Sequence, residues 1–133
     1  MFNAWDITIT ANTLDKTPKE QTLKLTKGVV VRCDIKFPAG CHGLVKVRLF
    51  HHTFQLIPLT KGEYITGDDE TVPTETYFEL DSSPYSLTFE GSSPGTTYDH
   101  TITVRVTVVP KAIASIYPLV EWLNAFAKRI FGK

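Results

Sequence analysis

The chain has 133 residues, 42% of them apolar and 21% charged, with fourteen Lys and Arg balanced by fourteen Asp and Glu. That leaves room for one domain with a sizeable core but not for two, and zero net charge sets up no global field to draw in nucleic acid or an anionic membrane. No apolar run approaches the roughly 20 residues that span a bilayer, and Met1–Asp6 lacks the basic and apolar stretches of a secretory signal, so the expected location is the cytoplasm or a particle assembled there.

Trp5, Ile7 and Ile9 alternate with Asp6, Thr8 and Thr10, and this period of two predicts a first strand over residues 4–11. The polar stretch Asn12–Glu20, with Pro18, reads as a loop, and Leu23 and Leu25 mark a short second strand ending at Lys27-Gly28. Val29, Val31, Cys33, Ile35 and Phe37 are expected on one face of a third strand, with Arg32, Asp34 and Lys36 on the other. After the turn Pro38–Gly43, the strand Leu44–His51 points Val45, Val47 and Leu49 inward, and the next apolar segment is Phe54–Ile57. Residues 59–75 are polar and turn-rich and are expected to be loop. Two short strands follow, Tyr77–Leu80 and Tyr85–Glu90, then the loop 91–95 and a long alternating strand over Asp99–Val109.

About eight short strands separated by turns, with no strand–helix–strand alternation, predict a mainly β protein. The expected form is an antiparallel β-sandwich, jelly-roll or immunoglobulin-like, over residues 1–109. At Pro110 the period changes. Residues 110–117 read as a connector, and in 118–133 Leu119, Trp122, Leu123, Phe126 and Ile130 recur at helical spacing. Pro118 suits a first helical turn, Gly132 marks an end, and Glu121, Lys128 and Arg129 are placed to favour the helix dipole. An isolated helix of this length is marginal in water and must dock. Its own sandwich, a neighbouring subunit or partner, and a membrane surface are the three candidates.

Motifs that carry chemistry are sparse. No nucleophile elbow, P-loop or dinucleotide-binding glycine pattern is present, which argues against an enzyme. His51 and His52 are adjacent on a strand and point to opposite faces, so they do not chelate one ion together. Asp68-Asp69-Glu70, with Asp99, offers a candidate calcium site without the alternating ligands of an EF-hand. Cys33 and Cys41 are expected to be free thiols, Cys33 in the core and Cys41 in a turn. Trp5, Phe54, Tyr64, Tyr77, Tyr85 and Tyr98 could give a stacking platform for glycan, although most fall on the inward parity of a strand. No cofactor is implied.

Three pieces, Phe37-Pro38-Ala39-Gly40, Gly67-Asp68-Asp69-Glu70 and Thr97-Tyr98-Asp99-His100-Thr101, lie in a block from Val29 to Val109 that resembles small β-sandwich structural proteins of tailed-virus particles. The resemblance implies a virion structural or decoration role, as an oligomer with a terminal arm gripping a neighbour. The leading expectation is a non-enzymatic assembly protein that docks through Leu119, Trp122, Leu123, Phe126 and Ile130. The alternatives are a glycan- or ligand-binding module and a membrane-surface adaptor.

Overall fold

The computed structural model describes residues 2–114. Within them run β1 (Phe2–Ile9), β2 (Lys19–Lys24), β3 (Gly28–Phe37), β4 (Lys46–His51), β5 (Phe54–Ile57), β6 (Ile65–Thr66), β7 (Glu70–Leu80), β8 (Ser86–Ser92), β9 (His100–Val109) and the helical turn α1 (Lys111–Ala114). All strand pairs are antiparallel. One sheet has the order β1-β9-β3-β7; the other has β2-β8-β4-β5, with β6 also on β4. Apart from the links joining β4, β5 and β6, every connection crosses from one sheet to the other.

The strands form where alternation and β-branching coincide. In β9, Ile102, Val104, Val106 and Val108 are buried, while Thr101, Thr103, Arg105 and Thr107 lie on the outer face. Branched side chains fit such a pleated, half-buried surface. Ile35 sits opposite Val104 and Cys33 opposite Val106 across the β3–β9 ladder. They meet Leu23, Val47, Leu49, Leu87 and Phe89 from the other sheet in one core. A β-sandwich with a single core is the result.

Two expectations are corrected. In β3 the register shifts between Val30 and Arg32. This bulge puts two residues opposite one and reverses the parity upstream. Val30 therefore joins Cys33, Ile35 and Phe37 in the core, while Val29 and Val31 form a separate cluster with Val109. The second correction concerns residues 59–75, which are not all loop. They contain β6 and the first half of β7. β7 is a sheet edge, and its Thr71, Pro73 and Glu75 are solvent-exposed, so only Val72 betrays an inward face here. Pro73 is tolerated because an edge strand has one side with no ladder to donate to.

The register sorts the connections into two ends. Ile9 pairs with His100, Phe37 with Glu70 and Lys46 with Ser92. Loops 10–18, 38–45, 67–69 and 93–99 therefore gather at one end, the loop end. Gly28 pairs with Leu80, Lys24 with Ser86 and Val29 with Val109, which places 25–27, 52–53, 81–85 and the departing chain at the other, the tail end. α1 falls within the segment expected as connector. Leu119, Trp122, Leu123, Phe126 and Ile130 lie outside the described residues. Among the described residues no helix is long and apolar enough to cross a membrane.

Candidate functional site

At the loop end, short polar side chains join loops that are distant in sequence. Ser93 is fully buried. Its Oγ donates to the Thr10 carbonyl at 2.8 Å and accepts the Thr13 amide at 3.2 Å, while its own amide donates to the Thr13 carbonyl at 2.8 Å. Thr96 Oγ1 donates to the Ser93 carbonyl and accepts the Asn12 amide, at 2.8 and 2.9 Å. Asn12 Oδ1 accepts the Gly95 amide at 2.9 Å, and Asp99 Oδ1 accepts the Ala11 amide at 2.8 Å. Loops 10–13 and 93–99 are thus one hydrogen-bonded unit. Serine, threonine and asparagine suit this task because their short side chains reach backbone groups a few bonds away.

A second unit joins loops 38–45 and 67–69. Asp68 Oδ1 accepts the Gly40 amide at 3.0 Å, the Asp69 amide donates to the Pro38 carbonyl at 3.3 Å, and His42 Nδ1 lies 3.7 Å from Asp68 Oδ2. Backbone hydrogen bonding from His42 foremost, opposed next by burial and reinforced by the bond from Gly40, holds the Asp68 carboxyl below its usual range. Cys41, expected in a turn, is 0% exposed and belongs to the core. It plugs the loop into the sandwich, and burial pushes its thiol up, with Asp68 adding to the effect. Cys33 is deeper still, its thiol pushed up to about 12 by burial and then by Asp34. Both thiols are free, as expected, and thiols held this far from the thiolate form are poor nucleophiles.

Between the two units lies a cleft of about 560 Å³. Pro38, Gly40 and Leu44 line one side, Thr97, Tyr98 and Asp99 the other, and His100 lies beneath. Tyr98 is 75% exposed. His100 is 8% exposed; its Nε2 is 3.2 Å from the Gly40 carbonyl and its Nδ1 has no partner among the described residues. Asn12, His42 and Asp69 in the surrounding loops have positive φ, as do Gly40, Gly43 and Gly95. For residues with a Cβ this left-handed region costs roughly 1–2 kcal/mol each. Such strain persists only where surrounding bonds impose it, and it clusters at binding and catalytic sites.

Three of the four candidate calcium ligands hold backbone amides. Asp68 and Asp99 accept backbone amides, and Glu70 Oε1 accepts the Asp68 amide at 3.3 Å. Among the described residues no group of three or more His, Cys, Asp or Glu side chains is arranged to hold a metal ion. His51 and His52 are not on opposite faces of one strand as expected: His52 lies in the β4–β5 turn with positive φ, which brings the ring centroids to 4.4 Å, and His51 packs against Phe78.

The aromatics divide. Trp5 and Tyr85 pack on the core, and Tyr64 lies under the cations of Lys46 and Arg48, at 4.7 and 4.6 Å. Phe54 stacks on Phe78 at 5.9 Å yet stays half-exposed, as does Tyr77. Phe54 borders a second concavity of about 510 Å³ on the outer face of the β2-β8-β4-β5 sheet, with Arg48, Phe50, Leu59 and Lys61. Its 58–63 loop is organised by buried Gln55, whose Nε2 lies 2.8, 3.1 and 3.0 Å from the carbonyls of Pro58, Thr60 and Glu63 and whose Oε1 accepts the Gly62 amide at 3.1 Å. Ser93, Asn12, Gln55 and Cys41 escape the sequence reading. Only the turn-rich composition around the first two points to them. Compared with known proteins, the chain matches no protein-family model and no curated protein.

Proposed function

We propose that this chain is a non-enzymatic structural protein, a virion component that oligomerises or decorates a particle, with residues 118–133 as its docking element. We infer a jelly roll from the order β1-β9-β3-β7 facing β2-β8-β4-β5. An immunoglobulin-type sandwich would hydrogen-bond its first two strands in one sheet, whereas here they lie in different sheets. Jelly rolls serve in viral capsids and in lectins.

The observation that carries the assembly reading is the apolar stripe Leu119, Trp122, Leu123, Phe126 and Ile130, which recurs in the sequence at helical spacing and needs a surface to dock on. A second contact is available at β1, an eight-residue edge with one charge and no proline. The opposite edge, β7, carries Pro73 and three glutamates, residues that discourage pairing.

Sedimentation equilibrium of the full chain and of Trp122→Ala with Phe126→Ala tests this. The expected result is a full-length oligomer and a dissociated double variant with an unchanged β-sheet circular dichroism spectrum. A full-length monomer overturns the reading. Flotation of the full chain with vesicles would instead favour the membrane-surface alternative.

A further inference from the structure

We propose that the cleft at the loop end binds a neutral carbohydrate, with Tyr98 as the stacking platform and Asp99 as the hydroxyl acceptor. The cleft lies at the end of the sandwich opposite Val109, where the last strand finishes. Its volume of about 560 Å³ falls within the range of about 300–1,000 Å³ typical of small-ligand sites.

The lining chemistry selects the ligand class. No Lys or Arg lines the cleft, and one carboxylate, Asp99, does. A phosphate, a sulfate or a nucleic-acid backbone would meet no Lys or Arg there, only the rings of His42 and His100 and the opposing Asp99 carboxylate. A hydroxyl-rich ligand finds what it needs. The Asp99 carboxylate spends Oδ1 on the Ala11 amide, and among the described residues Oδ2 has no hydrogen bond. An ionised carboxylate accepts strongly from hydroxyl donors. The Thr97 hydroxyl, exposed beside it, likewise has no partner among the described residues.

Tyr98 supplies the apolar half of the recognition. Tyr98, at 75%, is more exposed than Leu59 at 68% or Phe2 at 64%, the next most exposed large apolar side chains among the described residues. Across the cleft Pro38 and Leu44 give a facing apolar wall. A pyranose has the matching two-sided character, with one C–H face for the ring and hydroxyls around its rim. An aromatic side chain offers such a face at low conformational cost.

Both walls are fixed in advance. Asn12, Ser93 and Thr96 tie the Tyr98 loop, and Asp68 and buried Cys41 tie the facing loop. A preorganised wall loses little entropy on binding, which matters for ligands with few strong contacts.

The test uses the full chain on an array of neutral, sialylated and sulfated glycans, followed by ¹H–¹⁵N titration with whichever neutral glycan binds. The expected result is binding to neutral glycans, with shifts confined to amides in 38–44 and 95–101. Tyr98→Ala should weaken binding about tenfold. Asp99→Asn, which can still accept the Ala11 amide, should weaken it while leaving the spectrum otherwise unchanged. Binding only to sulfated or sialylated glycans, no binding at all, or full affinity in Tyr98→Ala would overturn the proposal. Native spectra of both variants confirm that a lost signal is not a lost fold.

Discussion

The two ends of the sandwich are ordered by different forces. At the loop end, side chains of Asn12, Ser93, Thr96, Asp68 and Asp99 bond to backbone groups of neighbouring loops, with Cys41 and Val45 as apolar anchors of loop 38–45. At the tail end the links are short, and order comes from apolar cover: Val29, Val31 and Val109 cluster outside the main core, and Lys111 reaches Glu79 at 3.4 Å. The difference shows where a rigid but solvent-accessible site can be built. Hydrogen-bonded loops hold a shape while leaving groups such as Tyr98 in water. Apolar cover orders a region only by taking it out of water, which suits a docking point for more chain.

The largest effect should fall on both ends equally. Phe89 is fully buried between the sheets, and Phe89→Ala should cost about 3–5 kcal/mol in chemical denaturation, with one cooperative transition. If one end survives the transition, the shared core does not couple them. Next comes Ser93→Ala. It leaves the Thr13 amide without its partner in a part-buried position, while the Thr10 carbonyl keeps Thr13 Oγ1 at 2.7 Å, a loss of about 1–3 kcal/mol. Faster amide exchange is expected in 10–13 and 93–99, with 25–27 and 81–85 unchanged. Val29→Ala is the counterpart at the tail end. It removes about two methylene equivalents from a fully buried site, roughly 1.6 kcal/mol, and should speed exchange around 27–30 and 109–111 alone. Equal loosening of both ends by either variant would erase the distinction.

Legibility in the sequence follows the same division. β4 and β9 are readable because burial on one face leaves an alternation that only a strand explains. The first half of β7 is not, since an edge strand with Thr71, Pro73 and Glu75 outward has the composition of a loop. The phase of β3 is hidden because Val29-Val30-Val31 satisfies either parity, and only the bulge decides. At the site, Tyr98, Asp99 and Asp68 stand out as residue types. Their arrangement does not, because it depends on bonds between residues about 80 positions apart, such as Thr13 to Ser93. Cys41 reads as a turn residue because its neighbours are Gly40, His42 and Gly43, and burial at that point is a property of the folded loop.

The smallest effect separates the ends by charge. His51 closes β4 at the tail end, its ring 4.9 Å from Phe78. Burial foremost, and then the neighbouring His52, holds its pKa below the usual 6.5, with Asp81 opposing in part. The folded chain therefore binds fewer protons there than the unfolded chain does between the two values. Stability contributed by neutral His51 is present above 6.5 and declines as pH falls through that window, levelling off below the folded value. At the loop end the sign is that of a carboxylate. Asp15, bonded foremost to Lys46 at 2.7 Å and then to Ser92 at 2.6 Å, has its pKa held below 3.8, as does Asp68. Their contributions are intact above 3.8 and fade only as pH falls through the lower folded values. Acidification from neutrality should thus loosen the 51–54 turn and 81–85 first, while 10–18 and 38–45 hold until much lower pH. Amide exchange followed from pH 7 downward, first through 6.5 and then through 3.8, reads the order, since the two windows open at those values. His51→Phe should abolish the first step and leave the second, because it removes the titrating ring while keeping an apolar partner for Phe78. Loop-end amides opening before those of 51–54 would show that polar ties are the weaker of the two means of ordering an end.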